Sequence, residues 1–173
     1  VSSNAKKAFA RKLLSKQRSV KTVLEKIGRF KGRLRKQTTK FIAGEKTKEV
    51  LYRENSCVFR FNIDSCYFSP RLSNERLEIS KMVKGRDEVL IMFAGVAPYS
   101  IVIAKNSRAK KIYSNEINRE ANKYAELNIG LNKLKGKVIL LNGDVKRIAR
   151  KIVSLPYPPT RKKVFNARKN FGF

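Results

Sequence analysis

The sequence predicts an α/β protein in which a parallel sheet follows a small β-rich module. Two observations lead to this fold class. In residues 56–63 apolar and polar residues alternate, which is the pattern of a strand with one buried face. From residue 73 onward, short apolar runs alternate with helical segments, and that order favours a right-handed parallel α/β sheet.

The first 64 residues are predicted to form a basic helix followed by the β-rich module. Residues 3–17 carry an apolar stripe at helical spacing, and Ser3 or Asn4 is placed to cap the helix. We expect this stripe to dock on the rest of the protein. Its members are Ala5, Phe9, Leu13 and Leu14.

The strands of the module follow directly. Residues 20–41 have the composition of a strand–turn segment. Residues 47–53 and 56–63 predict two more strands, and Asn55-Ser56 supplies the turn between them.

The second unit, residues 65–155, is predicted to be the parallel sheet with its helices. Its helices are expected at 73–84, 98–105 and 119–132, and its strands at 88–93, 111–115 and 137–142. Pro98 is well placed to open the middle helix. A short helical turn then leads to Ile152-Val153, which we expect to begin a fourth strand. Residues 156–173 are assigned to a basic tail.

The charge of the chain favours a polyanionic partner. Its 173 residues include 41 Lys and Arg against 13 Asp and Glu, a formal net charge of +28. The net charge is +14 over residues 1–48, +5 over 49–144 and +9 over 145–173. Two basic flanks around a nearly balanced centre indicate nucleic acid before a membrane surface.

Composition excludes several classes of site. The chain has no histidine, so histidine-based catalysis and histidine metal sites are excluded. Cys57 and Cys66 alone hold neither a disulfide scaffold nor a four-thiolate zinc site, so we expect no metal and a reduced, cytoplasmic compartment. No apolar stretch approaches the ~18 residues of a membrane span, and no signal peptide is recognisable. A monomer is expected, and Val1 in place of Met predicts a fragment or a processed product.

Three features at the carboxyl ends of the predicted parallel strands indicate an adenosine-type ligand. They are the loop of residues 93–98, which includes Phe93 and Gly95, then Glu116, then Asp144. A carboxylate at Glu116 can accept hydrogen bonds from a ribose. The dinucleotide and triphosphate glycine motifs are absent from the sequence, so a ligand without pyrophosphate fits better, and S-adenosylmethionine is the main candidate.

Longer motifs carry a resemblance. The runs CYFSPRLSNERLEISKMV (66–83) and VLIMFAGVAPYSIVIAKN (89–106) resemble the archaeal and eukaryotic tRNA guanine-N1 methyltransferase family, and residues 20–64 resemble its small domain. The resemblance implies a Rossmann-like class I sheet that uses S-adenosylmethionine to methylate guanine 37 in the anticodon arm of tRNA.

The resemblance also implies roles for single residues. Glu75 takes the position of the general base, Arg35 that of the arginine that steadies the guanine, and Ser154 lies in the motif that holds the target base. Cofactor binding is assigned to Tyr67, Phe93, Gly95, Glu116, Asp144 and Pro156.

The match departs from the family at several positions. Ile91 stands where many members have Asp, Ala97 where they have Gly, and Ser154 where they have Asn or Pro. Only 19 residues follow Ser154, so we expect a C-terminally incomplete sheet with an open edge. The N-terminal tRNA-contacting domain of the family is expected to be absent or reduced to the first helix.

Other interpretations stay open at this point. A wyosine-pathway transferase on the same fold would modify the same tRNA position. A non-catalytic, basic RNA-binding protein would bind RNA without regard to Glu75. Singly, Glu75 could serve only the helix dipole, Arg35 only a phosphate, and Tyr67 only the core.

Overall fold

The computed structural model describes residues 2–153 and 162–167. Its helices are α1 Ser3–Lys16, α2 Ser73–Met82, α3 Pro98–Asn106, α4 Arg119–Leu131 and α5 Val145–Val153. Its strands are β1 Thr22–Lys31, β2 Lys36–Gly44, β3 Glu49–Glu54, β4 Cys57–Asn62, β5 Glu88–Met92, β6 Lys111–Glu116, β7 Val138–Asn142 and β8 Lys162–Asn166. The predicted α/β class, a parallel sheet after a β-rich module, is confirmed.

The parallel sheet has the strand order β7-β6-β5-β8. Helix α3 connects β5 to β6, and α4 connects β6 to β7, as the alternation of apolar and helical runs predicts. Val89 and Ile91 of β5 and Ile112 of β6 are completely buried. Two adjacent central strands thus form the core against which the helices pack.

Strand β8 corrects the assignment of residues 156–173 to a tail. Lys162–Asn166 pairs in parallel with β5, and Phe165 stands opposite Ile91. The physical reason is that a central strand needs backbone partners on both sides, and Val164-Phe165 provides an apolar pair that basic neighbours obscure in the sequence. The remaining parts of the predicted tail, 156–161 and 168–173, lie outside the described residues.

A second correction concerns Ile152-Val153, which was expected to begin a strand. Both residues belong to α5. The helix begins because Asp144 precedes it. The Asp144 carboxylate accepts a hydrogen bond of 2.8 Å from the Lys146 backbone N–H, and the Asp144 carbonyl accepts one of 3.0 Å from Ile148. An apolar pair alone favours a strand, whereas the capping bonds at Asp144 start a helix that includes this pair.

Helix α1 forms as predicted but is capped one residue earlier, by the Ser2 hydroxyl, which accepts a hydrogen bond from the Ala5 N–H. The predicted docking stripe is only half right. Ala10 is buried, and Leu13 and Leu14 are half-buried, whereas Phe9 is 67% exposed. The docked face of the helix is therefore rotated from the predicted stripe.

The β-rich module consists of two antiparallel hairpins, β1–β2 and β3–β4, as the sequence predicts. The apolar face of β3–β4 packs around Phe68. The Phe68 ring stacks on Phe61 with centroids 4.7 Å apart, and it meets the rings of Tyr52 and Phe59 at 5.2 and 5.7 Å. This aromatic cluster places the segment after β4 against the hairpin.

Asparagine side chains attach the module to the sheet. Asn132, which caps the C-terminus of α4, accepts a hydrogen bond from the Val58 N–H at 2.9 Å and donates one to the Val58 carbonyl at 2.7 Å. Asn128 accepts a bond of 2.7 Å from the Arg60 N–H and donates to the Val96 carbonyl at 3.2 Å. The helix therefore supplies hydrogen bonds along β4 that a neighbouring strand would otherwise supply.

A buried ion pair also crosses this junction. The Arg76 guanidinium of α2 forms two hydrogen bonds with the Glu54 carboxylate of β3, at 2.5 and 2.6 Å, and a third with the Ser69 carbonyl at 3.1 Å. Both side chains are at most 3% exposed. The bidentate geometry satisfies charges that would be very unfavourable if buried alone.

The two cysteines are free thiols in buried positions. Burial raises the pKa of Cys57 and of Cys66 to about 11, from an ordinary value of 9.0. The protonated thiol is the favoured form in the folded chain. Both residues therefore serve packing.

We expect Arg76→Met to lower the free energy of unfolding by about 3–5 kcal/mol, because Glu54 would be left as an uncompensated buried charge. Urea unfolding followed by circular dichroism measures the change. The matched control is Arg71→Met, since Arg71 is an exposed arginine five residues earlier, and it should change stability by less than about 0.5 kcal/mol. Equal effects of the two substitutions would contradict the structural importance of the pair.

The raised thiol pKa values predict slow chemical modification. At pH 8 the thiolate fraction of the folded chain should be about a hundredfold below that of the unfolded chain, because two pKa units separate 11 from 9.0. Labelling with a thiol-specific disulfide reagent, with and without 6 M guanidinium chloride (about the concentration that unfolds most domains), measures the ratio. Rapid labelling of both thiols in the folded chain would refute the prediction.

Candidate active site

A half-open cleft lies where β5 and β6 end. It encloses about 590 Å³, counting the part that opens to solvent. The hairpin tip, which we define as residues 32–35 between β1 and β2, covers one side of it. The segment after β4 and the start of α3 also line it. Its walls thus come from both halves of the chain, which agrees with the location of ligand sites at strand ends in α/β sheets.

The structure brings most of the predicted site residues to this cleft. Those that line it are Arg35, Tyr67, Phe93, Gly95 and Glu116. Glu75 lies one contact away, and Asp144 reaches the cleft through an arginine, as described below. Ser154 and Pro156 lie outside the described residues, so their roles stay predictions.

The loop after β5 adopts an unusual backbone. Phe93, Gly95 and Ala97 all have positive φ angles, of 59°, 59° and 65°. For a residue other than glycine this conformation is unfavourable by about 1 kcal/mol or more. A hydrogen bond of 2.8 Å from the Ala94 N–H to the Asn115 carbonyl ties the loop to β6. Strain of this kind is typical of backbone that has been shaped for a ligand.

Glu116 organises the two loops that meet at the cleft. Its Oε2 accepts a hydrogen bond from the Gly95 N–H at 2.8 Å. Its Oε1 accepts two, from the N–H groups of Ile117 and Asn118, both at 2.8 Å. The residue is only 8% exposed. One carboxylate therefore fixes the end of β6 relative to the loop after β5.

Arg35 and Tyr67, predicted separately, are in contact. The Arg35 guanidinium carbon lies 4.3 Å from the centroid of the Tyr67 ring. Arg35 has a φ of 51° at the hairpin tip, which directs the chain back into β2. A cation over an aromatic face is stabilised electrostatically. The contact holds the hairpin tip beside the segment after β4.

Asp144 does not line the cleft itself. Its carboxylate forms an ion pair with Arg33, which does line it. The Arg33 guanidinium, together with the Lys146 backbone N–H, holds the pKa of the Asp144 carboxyl below its usual value. The ion pair connects the hairpin tip to the end of β7, so Arg33 stands between Asp144 and the cleft.

Glu75 lies in the first turn of α2 and is half-buried. The Tyr99 hydroxyl donates a hydrogen bond of 2.5 Å to Glu75 Oε1. Tyr99 lines the cleft and is 3% exposed. The predicted general base is thus connected to the cleft through the hydroxyl of a tyrosine.

Sequence reasoning missed several residues of this site, among them Arg33, Arg76, Tyr99 and Asn118. Each lines the cleft. Arg76 and Tyr99 occur inside the motifs that carry the family resemblance, and this position could have identified them as candidate site residues. Asn118 donates to the Ser65 carbonyl at 2.8 Å and caps α4 through the Glu120 N–H. No local pattern indicates either partner of such a long-range bond.

Neither a metal centre nor a membrane span is found within residues 2–153 and 162–167. Within those ranges, no three cysteine or carboxylate side chains are grouped so that they would hold a metal ion. In the same ranges, every helix is too short or too polar to cross a bilayer.

Comparison with known proteins finds relatives that share the fold and the sequence motifs. A family model described as the TRM5/TYW2 methyltransferase domain matches residues 50–155. The chain is 44% identical over 129 residues to the tRNA (guanine(37)-N(1))/4-demethylwyosine(37)-methyltransferase Taw22 of Nanoarchaeum equitans, an alignment that covers 75% of this chain and 43% of that protein.

Solved structures of similar proteins have the same fold. The structure of Methanocaldococcus jannaschii Trm5 in complex with adenosine matches with a TM-score of 0.72 at 38% identity, over 85% of this chain and 43% of that one. A complex of aTrm5 and tRNALeu matches with a TM-score of 0.76 at 34% identity, over 94% of this chain and 45% of that one. The chain thus spans less than half the length of these relatives.

Proposed function

Because the chain belongs to the TRM5/TYW2 methyltransferase domain family, we propose that it transfers the methyl group of S-adenosylmethionine to N1 of guanine 37 in tRNA. The observation that carries this proposal is the cleft itself. It brings the strained loop of residues 93–97, Glu116, and the Arg35–Tyr67 pair to one place, with Glu75 one hydrogen bond away.

The hydrogen bonds of Glu116 support an adenosine ligand. An ionised carboxylate offers about four acceptor positions, two on each oxygen. Among the described residues, two donors reach Oε1 and one reaches Oε2. Oε2 therefore keeps an acceptor position for a ribose hydroxyl. The adenosine in the Methanocaldococcus jannaschii relative supports the same ligand class.

The chemistry assigns separate tasks to Glu75 and Arg35. S-adenosylmethionine supplies an activated methyl group on a sulfonium, so positioning is the main requirement at the donor. Guanine N1 carries a proton at neutral pH and gives it to the Glu75 carboxylate. The N1–methyl bond forms as the sulfur–methyl bond breaks. The Arg35 guanidinium stabilises the negative charge that develops on guanine O6.

The charge distribution supports tRNA as the partner. Lys and Arg exceed Asp and Glu by 28, and the excess is concentrated at the two ends of the chain. The guanine must leave its stack to reach the cleft, and a basic surface can hold the phosphates around it. The tRNA in the aTrm5 complex supports the same partner. A monomeric state and a cytoplasmic location stay predictions from the sequence.

We expect one S-adenosylmethionine site per chain and weaker binding in Glu116→Gln. The amide would turn an N–H group toward backbone donors and lose the charged acceptor, so affinity should fall about tenfold to a hundredfold. Isothermal titration calorimetry measures both constants. The matched control is Glu120→Gln, because Glu120 lies on the same loop–helix junction and pairs with Lys123 at the surface. Unchanged affinity in Glu116→Gln would remove Glu116 from the binding site.

We expect the chain to form 1-methylguanosine at position 37 of a tRNA transcript, and Glu75→Gln to lower the single-turnover rate by about 10²–10⁴-fold because the proton acceptor is lost. Mass spectrometry of digested tRNA identifies the product. Glu78→Gln is the control, since Glu78 lies on the same helix and pairs with Lys81 in solvent.

Other outcomes of this assay separate the competing functions. Transfer of an aminocarboxypropyl group, or methylation only of a tricyclic guanine, would identify a wyosine-pathway enzyme. Binding of tRNA without transfer, indifferent to the methyl donor, would identify a non-catalytic RNA-binding protein.

A further inference from the structure

We propose that Tyr99 is a positioning residue for methyl transfer, acting through the carboxylate of Glu75. This inference rests on the proposed function. Its evidence is a hydrogen bond of 2.5 Å from the Tyr99 hydroxyl to Glu75 Oε1. The two residues belong to different helices, α3 and α2, so the bond joins elements that the cleft depends on.

Tyr99 is itself held rigidly. It follows Pro98 at the start of α3, directly after the strained loop, and its side chain is 3% exposed. The Arg76 guanidinium lies 5.6 Å from the centroid of its ring, and Arg76 is fixed by its ion pair with Glu54. A series of contacts therefore runs from β3 through Arg76 and Tyr99 to Glu75.

This arrangement restrains the carboxylate of Glu75. A glutamate side chain has several rotatable bonds and samples many orientations when it is unrestrained. Because Tyr99 donates to Oε1, the hydrogen bond restrains the orientation of the carboxylate that meets the N1–H of guanine. A catalytic group that is misplaced by about 1 Å can cost about a hundredfold in rate.

Tyr99 also lies where the substrate would approach. Its side chain lines the cleft together with Arg35 and Phe93. The hydroxyl stabilises the carboxylate through a charge-assisted hydrogen bond before the proton moves. When guanine N1 gives its proton to Glu75 and takes the methyl group, the Tyr99 hydroxyl keeps its own proton. Tyr99 thus takes no part in the proton balance of the step.

The test is a double-mutant cycle in the single-turnover transfer assay. We expect Tyr99→Phe to lower the transfer rate about tenfold to a hundredfold, with dissociation constants for S-adenosylmethionine and tRNA unchanged. In a Glu75→Gln background the same substitution should cause no further loss, because Tyr99 acts only through Glu75. A purely structural contribution of Tyr99 would lower the rate in both backgrounds.

Tyr124→Phe is the matched control. Tyr124 also donates its hydroxyl hydrogen bond to a glutamate, Glu49, at a place outside the cleft. We expect the transfer rate of this variant to equal that of the unmodified chain. A second variant replaces Tyr99 with 4-aminophenylalanine, which keeps a hydrogen-bond donor on the same ring position, and it should recover most of the rate even if Tyr99→Phe folds poorly.

The outcomes are distinguishable. Transfer at the unmodified rate by Tyr99→Phe, with Glu75→Gln inactive, overturns this inference and leaves the proposed function standing. Additive losses in the cycle, or no transfer by the 4-aminophenylalanine variant, also overturn it. An unmodified chain that transfers no methyl group overturns the proposed function and this inference together.

Discussion

The Arg76–Glu54 ion pair is the interaction on which the arrangement of the cleft depends. It joins β3 of the N-terminal module to α2, and its third hydrogen bond holds Ser69 in the segment between them. The same guanidinium faces the rings of Phe68 and Tyr99. One buried charge pair therefore aligns the aromatic cluster, the helix that carries Glu75, and one wall of the cleft. Its bidentate geometry explains how two charges can be buried at that position.

The site is assembled from two parts of the chain that fold by different local rules. Strand ends and their loops provide Gly95 and Glu116, and the hairpin tip provides Arg33 and Arg35. Glu116 connects the loops of the sheet to each other, whereas Arg33 and Arg35 connect the hairpin tip to Asp144 and Tyr67. Both sets of contacts shape the cleft. Binding of a ligand in the cleft is therefore expected to be coupled to the position of the hairpin tip.

Buried asparagine side chains join neighbouring elements through hydrogen bonds to the backbone. Asn128 and Asn132 bond to the backbone of β4 in place of a strand, and Asn115 donates to the carbonyls of Leu141 and Gly143. Each of these amides is buried and carries both a donor and an acceptor, which is the combination that a backbone partner needs. Such contacts give the junctions a defined geometry that apolar packing alone leaves open.

The sequence alone determined the α/β class, the order of the elements through β7, and the candidates Arg35, Tyr67, Glu75, Gly95 and Glu116, because periodicity and motifs are local properties of the chain. The tertiary structure decided what depends on distant partners: that Lys162–Asn166 joins β5, that Arg33 pairs with Asp144, and that Tyr99 bonds to Glu75. From the sequence alone, a basic run followed by two apolar residues predicts a tail. Only the tertiary structure shows that β5 has an edge with which this segment pairs. Likewise, Tyr99 alone would be interpreted as a core residue, and only the structure shows that the Glu75 carboxylate accepts its hydrogen bond.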